Sequence, residues 1–164
     1  MKRLLLAVSL LAFPASAQTV VTPATMPVVA QSLADLLNPD VTQATLSTTV
    51  CVAGWSPSVR ISSSQAARIK AKQVLALYGP DMPTTAFEEN HKIPISLGGN
   101  PVNEANLVPQ SYGGRWNARD SDALELSMHA KLCAGTITLA QAQAAFFGDW
   151  REAYLVNFGS YPRN

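Results

Sequence analysis

The apolar positions of this chain fall into several distinct rhythms. The first is an apolar run from Leu4 to Phe13, preceded by Lys2 and Arg3 and followed by the small residues Ala15 and Ala17. That order is the grammar of a secretory signal peptide over 1–17, with cleavage expected after Ala17, and the run is too short to span a bilayer comfortably. From Gln18 to about Ser47, Thr, Pro, Ala and Val dominate, which suggests a linker or N-terminal arm over 18–48. Its one amphipathic candidate, "VVAQSLADLL", stops at Asn38 and Pro39. The β-branched stretch "LSTTVCVAG" predicts a short strand entering a turn at Gly54.

Helical spacing takes over in "SSSQAARIKAKQVLALYG", where Ala67, Ile69, Val74, Leu77 and Tyr78 follow a serine cap and Gly79 with Pro80 ends the helix. "AFEENHKIPISLGG" begins as a strand and finishes in the Gly98, Gly99 turn, and "EANLVPQ" predicts the returning strand. Ala118, Leu124, Leu126, Met128 and Leu132 then mark a helix that stops at Gly135. A last helical stretch opens with Thr138 and Gln141 at capping-box spacing and carries a soft spot at Gly148. Two short strands among helices predict an α+β protein: a small helical domain over 49–158, built around a hairpin-plus-helix core, with a tail over 159–164. The length fits one domain able to bury a single core.

Charge narrows the function classes. Cleavage of the leader would remove two of the twelve basic residues and none of the eleven acidic ones, leaving a formal charge of −1. Such a protein does not coat DNA by bulk charge, so any nucleic-acid contact needs a local cluster of Lys and Arg. In an oxidising compartment the two cysteines, Cys51 and Cys133, read as a disulfide staple, the alternative being two buried free thiols. No CxxC or Cys/His cluster suggests zinc.

The candidate chemistry lies in "FEENHKIPISLGGN", which holds His91, one of two histidines in the chain. A histidine ending a strand, a tight glycine turn, an asparagine on the returning strand and a polar residue opening the next helix can bring three groups to one point. That arrangement suits metal-assisted attack on a phosphodiester, in which an imidazole takes a proton from water and a divalent ion neutralises charge on the phosphate.

The segments "ENHKIPISLGG", "NEANLVP" and "RWNARDSDALE" resemble the HNH nuclease motif, the ββα-metal finger, which usually reads Asp-His, then Asn-Leu, then a His or Asn opening the helix. "VCVAGWSPSVR", "VLALYG", "LCAG" and "AQAAFFGDWREAY" are similar to exported bacterial HNH-like proteins, so the likeness runs from about Thr49 to Tyr154. The resemblance implies that His91 is the general base and that Asn106 fixes the loop that orients it. It also implies that Asn90 and Asn117 hold a divalent metal, Mg²⁺ first, with Mn²⁺ or Ca²⁺ as alternatives. Asn90 stands where the family has aspartate. An amide oxygen brings no charge and hard cations prefer carboxylates, so the site is neutral unless Glu88, Glu89, Asp120 or Asp122 reaches inward.

Structural roles compete with each of these. Asn106 can hold the turn through side-chain to backbone bonds, and Asn117 can be a helix cap. His129, near Cys133, reads as a packing or capping histidine. Lys92, Arg115 and Arg119, with Lys131, can line the hairpin as a phosphate-facing strip or form an ordinary solvated face. Trp55, Trp116 and Trp150 read as core or rim. The expectation is a periplasmic or secreted bacterial endonuclease acting on DNA or RNA with little sequence preference, without stable membrane association once the leader is gone. The rival is a catalytically weakened HNH-like module that binds nucleic acid or an envelope partner without cleaving it.

Overall fold

The computed structural model describes residues 32–163, so the expected signal peptide and the first part of the arm lie outside the described residues. The fold is α+β. Among the described residues six helices, α1 (Leu33–Leu36), α2 (Trp55–Val59), α3 (Ser63–Tyr78), α4 (Ala118–Cys133), α5 (Leu139–Phe147) and α6 (Trp150–Phe158), surround an antiparallel hairpin of β1 (Phe87–His91) and β2 (Leu107–Ser111). The register pairs Phe87 with Ser111 and His91 with Leu107, which leaves Asn90 opposite Val108 and Glu88 opposite Gln110.

Local chemistry explains most boundaries. Ser62 with Gln65 caps α3, Asn117 with Asp120 caps α4 and Thr138 with Gln141 caps α5, each as a reciprocal capping box that satisfies otherwise orphaned N–H groups. Gly79, at φ +86°, closes α3. The last helical stretch divides at Gly148 because Asp149 accepts a bond from the Arg151 N–H and starts α6 anew.

Two expectations are corrected. Residues 46–54 form no strand: Leu46–Thr48 is a 3₁₀ turn, and Thr48 and Thr49 both donate their hydroxyls to the Thr45 carbonyl, bending the chain that β-branching would otherwise extend. The described part of the arm is also more than a linker. Leu36, Val41 and Leu46 sit in the core beside Val50, Ile93, Leu97, Leu124 and Phe146. Burying such side chains contributes roughly 1.5–3 kcal/mol each, enough to fasten this segment to the domain. The tail docks as well: Tyr161 lies edge-on to Trp116, 5.9 Å between ring centres.

Cys51 and Cys133 form a disulfide that ties the start of α2 to the end of α4 across 82 residues. No helix among the described residues is long and apolar enough to cross a membrane.

The hairpin connection is held by Asn106, which is fully buried. Its Oδ1 accepts from the Ile93 N–H at 2.9 Å, while Nδ2 donates to the carbonyls of Ile93 (2.9 Å) and Asn100 (3.0 Å). Gly99 is required by that closeness, since a Cβ there would lie 1.8 Å from the Ile93 oxygen and 2.9 Å from Asn106 Nδ2. Asn106→Ala strands two buried backbone groups of Ile93 and a half-buried one of Asn100, and we expect it to cost about 3 kcal/mol in a urea unfolding experiment.

Candidate active site

His91 closes β1 and is buried at 7 % exposure. Its Nε2 lies 3.4 Å from the Pro101 carbonyl oxygen, in the loop that Asn106 clamps. A carbonyl only accepts, so the ring places its hydrogen on Nε2 and keeps the Nδ1 lone pair free. Burial lowers the imidazole pKa to about 4, the Pro101 contact opposing this and the Arg60 charge adding to it. At neutral pH the ring is therefore uncharged. It lines a cavity of about 360 Å³ shared with Lys92, Val108, Gln110 and Ser121.

The Asn90 side chain is fully engaged. Its Oδ1 accepts the His91 backbone N–H at 2.9 Å, and Nδ2 donates to Gln110 Oε1 at 3.0 Å and Asp122 Oδ1 at 3.3 Å. Gln110 thus links the His91 cavity to a second one of about 410 Å³, lined by Glu88, Asn90, Asp122 and Glu125 together with Arg60 and His129.

Asn117 is not brought to Asn90. Its Oδ1 accepts from the N–H groups of Arg119 (2.9 Å) and Asp120 (3.4 Å), and Nδ2 donates to the Gly114 carbonyl. It serves as the N-cap of α4 and lines a separate cavity with Arg115, Arg119 and Arg163. The helix residue that reaches Asn90 is Asp122. Five positions beyond the cap, its side chain lies well around the helix from Asn117, on the face it shares with Glu125 and His129. Asp120 is spent in the capping box, where it accepts the Asn117 N–H.

The acidic wall is electrostatically tense. Burial raises the Asp122 pKa, as does the Glu88 charge, while Asn90 and Arg60 oppose the shift. Burial raises Glu125 too, although Ser96 donates to Oε1 at 2.6 Å. Glu89 does not belong to this wall. Neither of its oxygens has a hydrogen-bond partner, and burial lifts its pKa to about 7 against the pull of Lys70, whose Nζ bonds the Phe87 carbonyl.

Of the expected phosphate strip, Lys92 lines the His91 cavity, whereas Arg115 and Arg119 lie over the rings of Tyr161 and Tyr112, each 5.4 Å from the ring centre. Trp116, at φ +69°, stacks edge-on against Trp150 and Tyr154 in a rim cluster that holds this unusual backbone. His129 bonds the Val50 carbonyl at 2.8 Å and comes within 3.5 Å of Cys133 Sγ. Cys51, His129 and Cys133 are close enough to ligate a metal, but both sulfurs are joined in the disulfide.

Asp122, Glu88 and the amide oxygen of Asn90 line the pocket next to the His91 cavity, and Gln110 bridges the two, although His91 itself does not line that pocket. That chemistry fits a hard divalent ion, with Asp122 and Glu88 supplying the charge that Asn90 lacks. Sequence reading missed Gln110 and Arg60. Writing out the hairpin register would have found Gln110, which sits opposite Glu88 and on the face of Asn90. No protein-family model, curated protein or solved structure matches the chain. The likeness to HNH nucleases therefore rests on the motif residues themselves.

Proposed function

We propose that the chain is an exported, divalent-cation-dependent endonuclease of the HNH kind that hydrolyses nucleic-acid phosphodiester bonds with little sequence preference, working in the periplasm or outside the cell. The observation that carries this reading is His91: a buried imidazole, neutral at physiological pH, fixed through Nε2 at the Pro101 carbonyl and facing a cavity through a ring whose other nitrogen can accept a proton. In the reaction, Nδ1 of His91 takes a proton from a water molecule as that water attacks phosphorus. Asn106 keeps the loop carrying Pro101, and so the ring, in line.

Asp122 and Glu88, with the Asn90 and Gln110 oxygens, would hold the cation, Mg²⁺ first and Mn²⁺ or Ca²⁺ as alternatives. Such an ion supplies charge neutralisation at the phosphate and departing oxygen. Asn117 takes no part in this set and acts as the cap that starts α4 on the register needed to present Asp122.

The test is nicking of supercoiled plasmid by the mature protein in Mg²⁺, Mn²⁺, Ca²⁺ or chelator. Nicking that needs a divalent ion supports the reading, and nicking at undiminished rate in chelator refutes it. One observation favours the non-catalytic rival: every polar atom of Asn90 already has a protein partner. Asn90→Asp separates the two. It sets a second carboxylate against Asp122, so an enzyme should reach full activity at roughly tenfold lower Mg²⁺. A lapsed site should gain Mg²⁺ binding, read by calorimetry, with no turnover.

A further inference from the structure

Arg60 ends α2 and lines two cavities at once. One is the acidic pocket of Asn90 and Asp122. The other is a groove of about 520 Å³ between the end of α2 and the exposed face of α3, where Arg68 and Lys72 stand one helical turn apart. All three cations are exposed. Arg60 and Arg68 make no salt bridge among the described residues, and Lys72 makes one, to Glu104 at 3.5 Å, with both side chains mostly in solvent. A pair of that kind holds its partners weakly and releases them readily.

Arg60 lines the acidic pocket beside Asn90, Asp122 and Glu125, which Gln110 joins to the His91 cavity. Arg115 and Arg119 lie elsewhere, with their guanidinium groups over tyrosine rings beside the Asn117 cap. In a chain whose overall charge is close to neutral, the cations that matter are those leading into the site. A guanidinium poised between a basic groove and a pocket of carboxylates suits one ligand chemistry, a polyanionic chain with one phosphate at the pocket and the next ones along the groove.

We propose that the groove of Arg60, Arg68 and Lys72 is the track along which a nucleic-acid backbone enters, with Arg60 gripping the phosphate at the acidic pocket that adjoins the His91 cavity. This rests on the phosphodiesterase reading and replaces the Arg115 and Arg119 strip as the principal phosphate contact. Any base is accepted, because the contacts are to phosphate.

The test is fluorescence anisotropy with a fluorescein-labelled DNA duplex, and a labelled RNA hairpin in a parallel arm, titrated with the disulfide-bonded mature protein in chelator across a range of salt. The triple variant Arg60→Ala, Arg68→Ala, Lys72→Ala should bind the better of the two probes at least tenfold more weakly at low salt. Its plot of log affinity against log salt should be shallower by about 2 to 3, close to one unit per lost phosphate contact. Arg115→Ala, Arg119→Ala should show the smaller loss. An unchanged affinity and slope in the triple variant, or the larger loss in the Arg115, Arg119 pair, overturns the track while leaving the nuclease reading in place. Absence of binding by the wild-type protein at low salt overturns both.

Discussion

The double variant Cys51→Ser, Cys133→Ser is expected to lose about 4.5 kcal/mol of unfolding free energy, the chain-entropy value for a loop of 82 residues. The bond joins the segment before α2 to the end of α4, so cutting it frees both walls of the Asn90 pocket: Arg60 from one side, Asp122, Glu125 and His129 from the other. Urea unfolding of oxidised, reduced and Ser-substituted protein reads the effect. Reduction should reproduce the substitution, and a loss below about 1 kcal/mol would mean that core packing around Val50 and Leu132 already holds these segments together. The bond also bears on compartment, since such long-range disulfides persist where the surroundings are oxidising.

A second large effect is expected at His91. Removing a general base costs on the order of 10²–10⁴-fold in rate, and His91→Ala should show a loss of that size with the disulfide and helical content retained. Acid should have the same effect reversibly. With its pKa lowered to about 4, the wild-type imidazole stays neutral and competent down to that pH, so the acid limb of kcat/KM should fall near 4 instead of at the ordinary value of 6.5.

Stability is a poorer reporter of the same group. A depressed histidine pKa means that the unfolded chain takes up the proton first, so the contribution of His91, on the order of 3 kcal/mol, is present above 6.5 and is lost as pH falls toward 4. Glu89 runs the other way. Its pKa is raised from 4.5 to about 7, so its contribution is present below 4.5 and is lost as pH rises through 7. The two windows overlap and largely offset each other in a global unfolding curve, which is why the activity profile isolates His91.

What could be read from the sequence was what local chemistry decides. The boundaries of α3 and α4 follow from Ser62, Gly79 and Asn117, and the hairpin follows from a strand ahead of the Gly98, Gly99 turn and a returning apolar segment at Leu107 and Val108. Residues 46–54 went astray because the threonine hydroxyls of Thr48 and Thr49 found a carbonyl three and four positions back, a competition that β-propensity ignores. The arm was misjudged because its apolar residues are spaced for the grooves left by other elements and follow no period of their own.

Motif order placed His91 at a strand end and Asn106 in the connection it clamps, whereas Asp122, one of four carboxylates the sequence offered, could not be singled out. A polar residue at a helix start satisfies its own N–H groups before it can serve a ligand, and Asn117 does so. Asp122 is visible only once the helix face is known. Arg60 carries no signal in the sequence, since the turn that brings it to the pocket is fixed by packing.

If the His91 imidazole deprotonates the water that cleaves nucleic acid, nicking of supercoiled plasmid in saturating Mg²⁺ must separate wild-type protein from His91→Ala when the two are assayed side by side, both disulfide-bonded. Nicked circles are expected from the wild type, and a rate at least a hundredfold lower from the variant. Equal rates from the two, or no nicking by wild-type protein with any divalent ion, would contradict that role for His91.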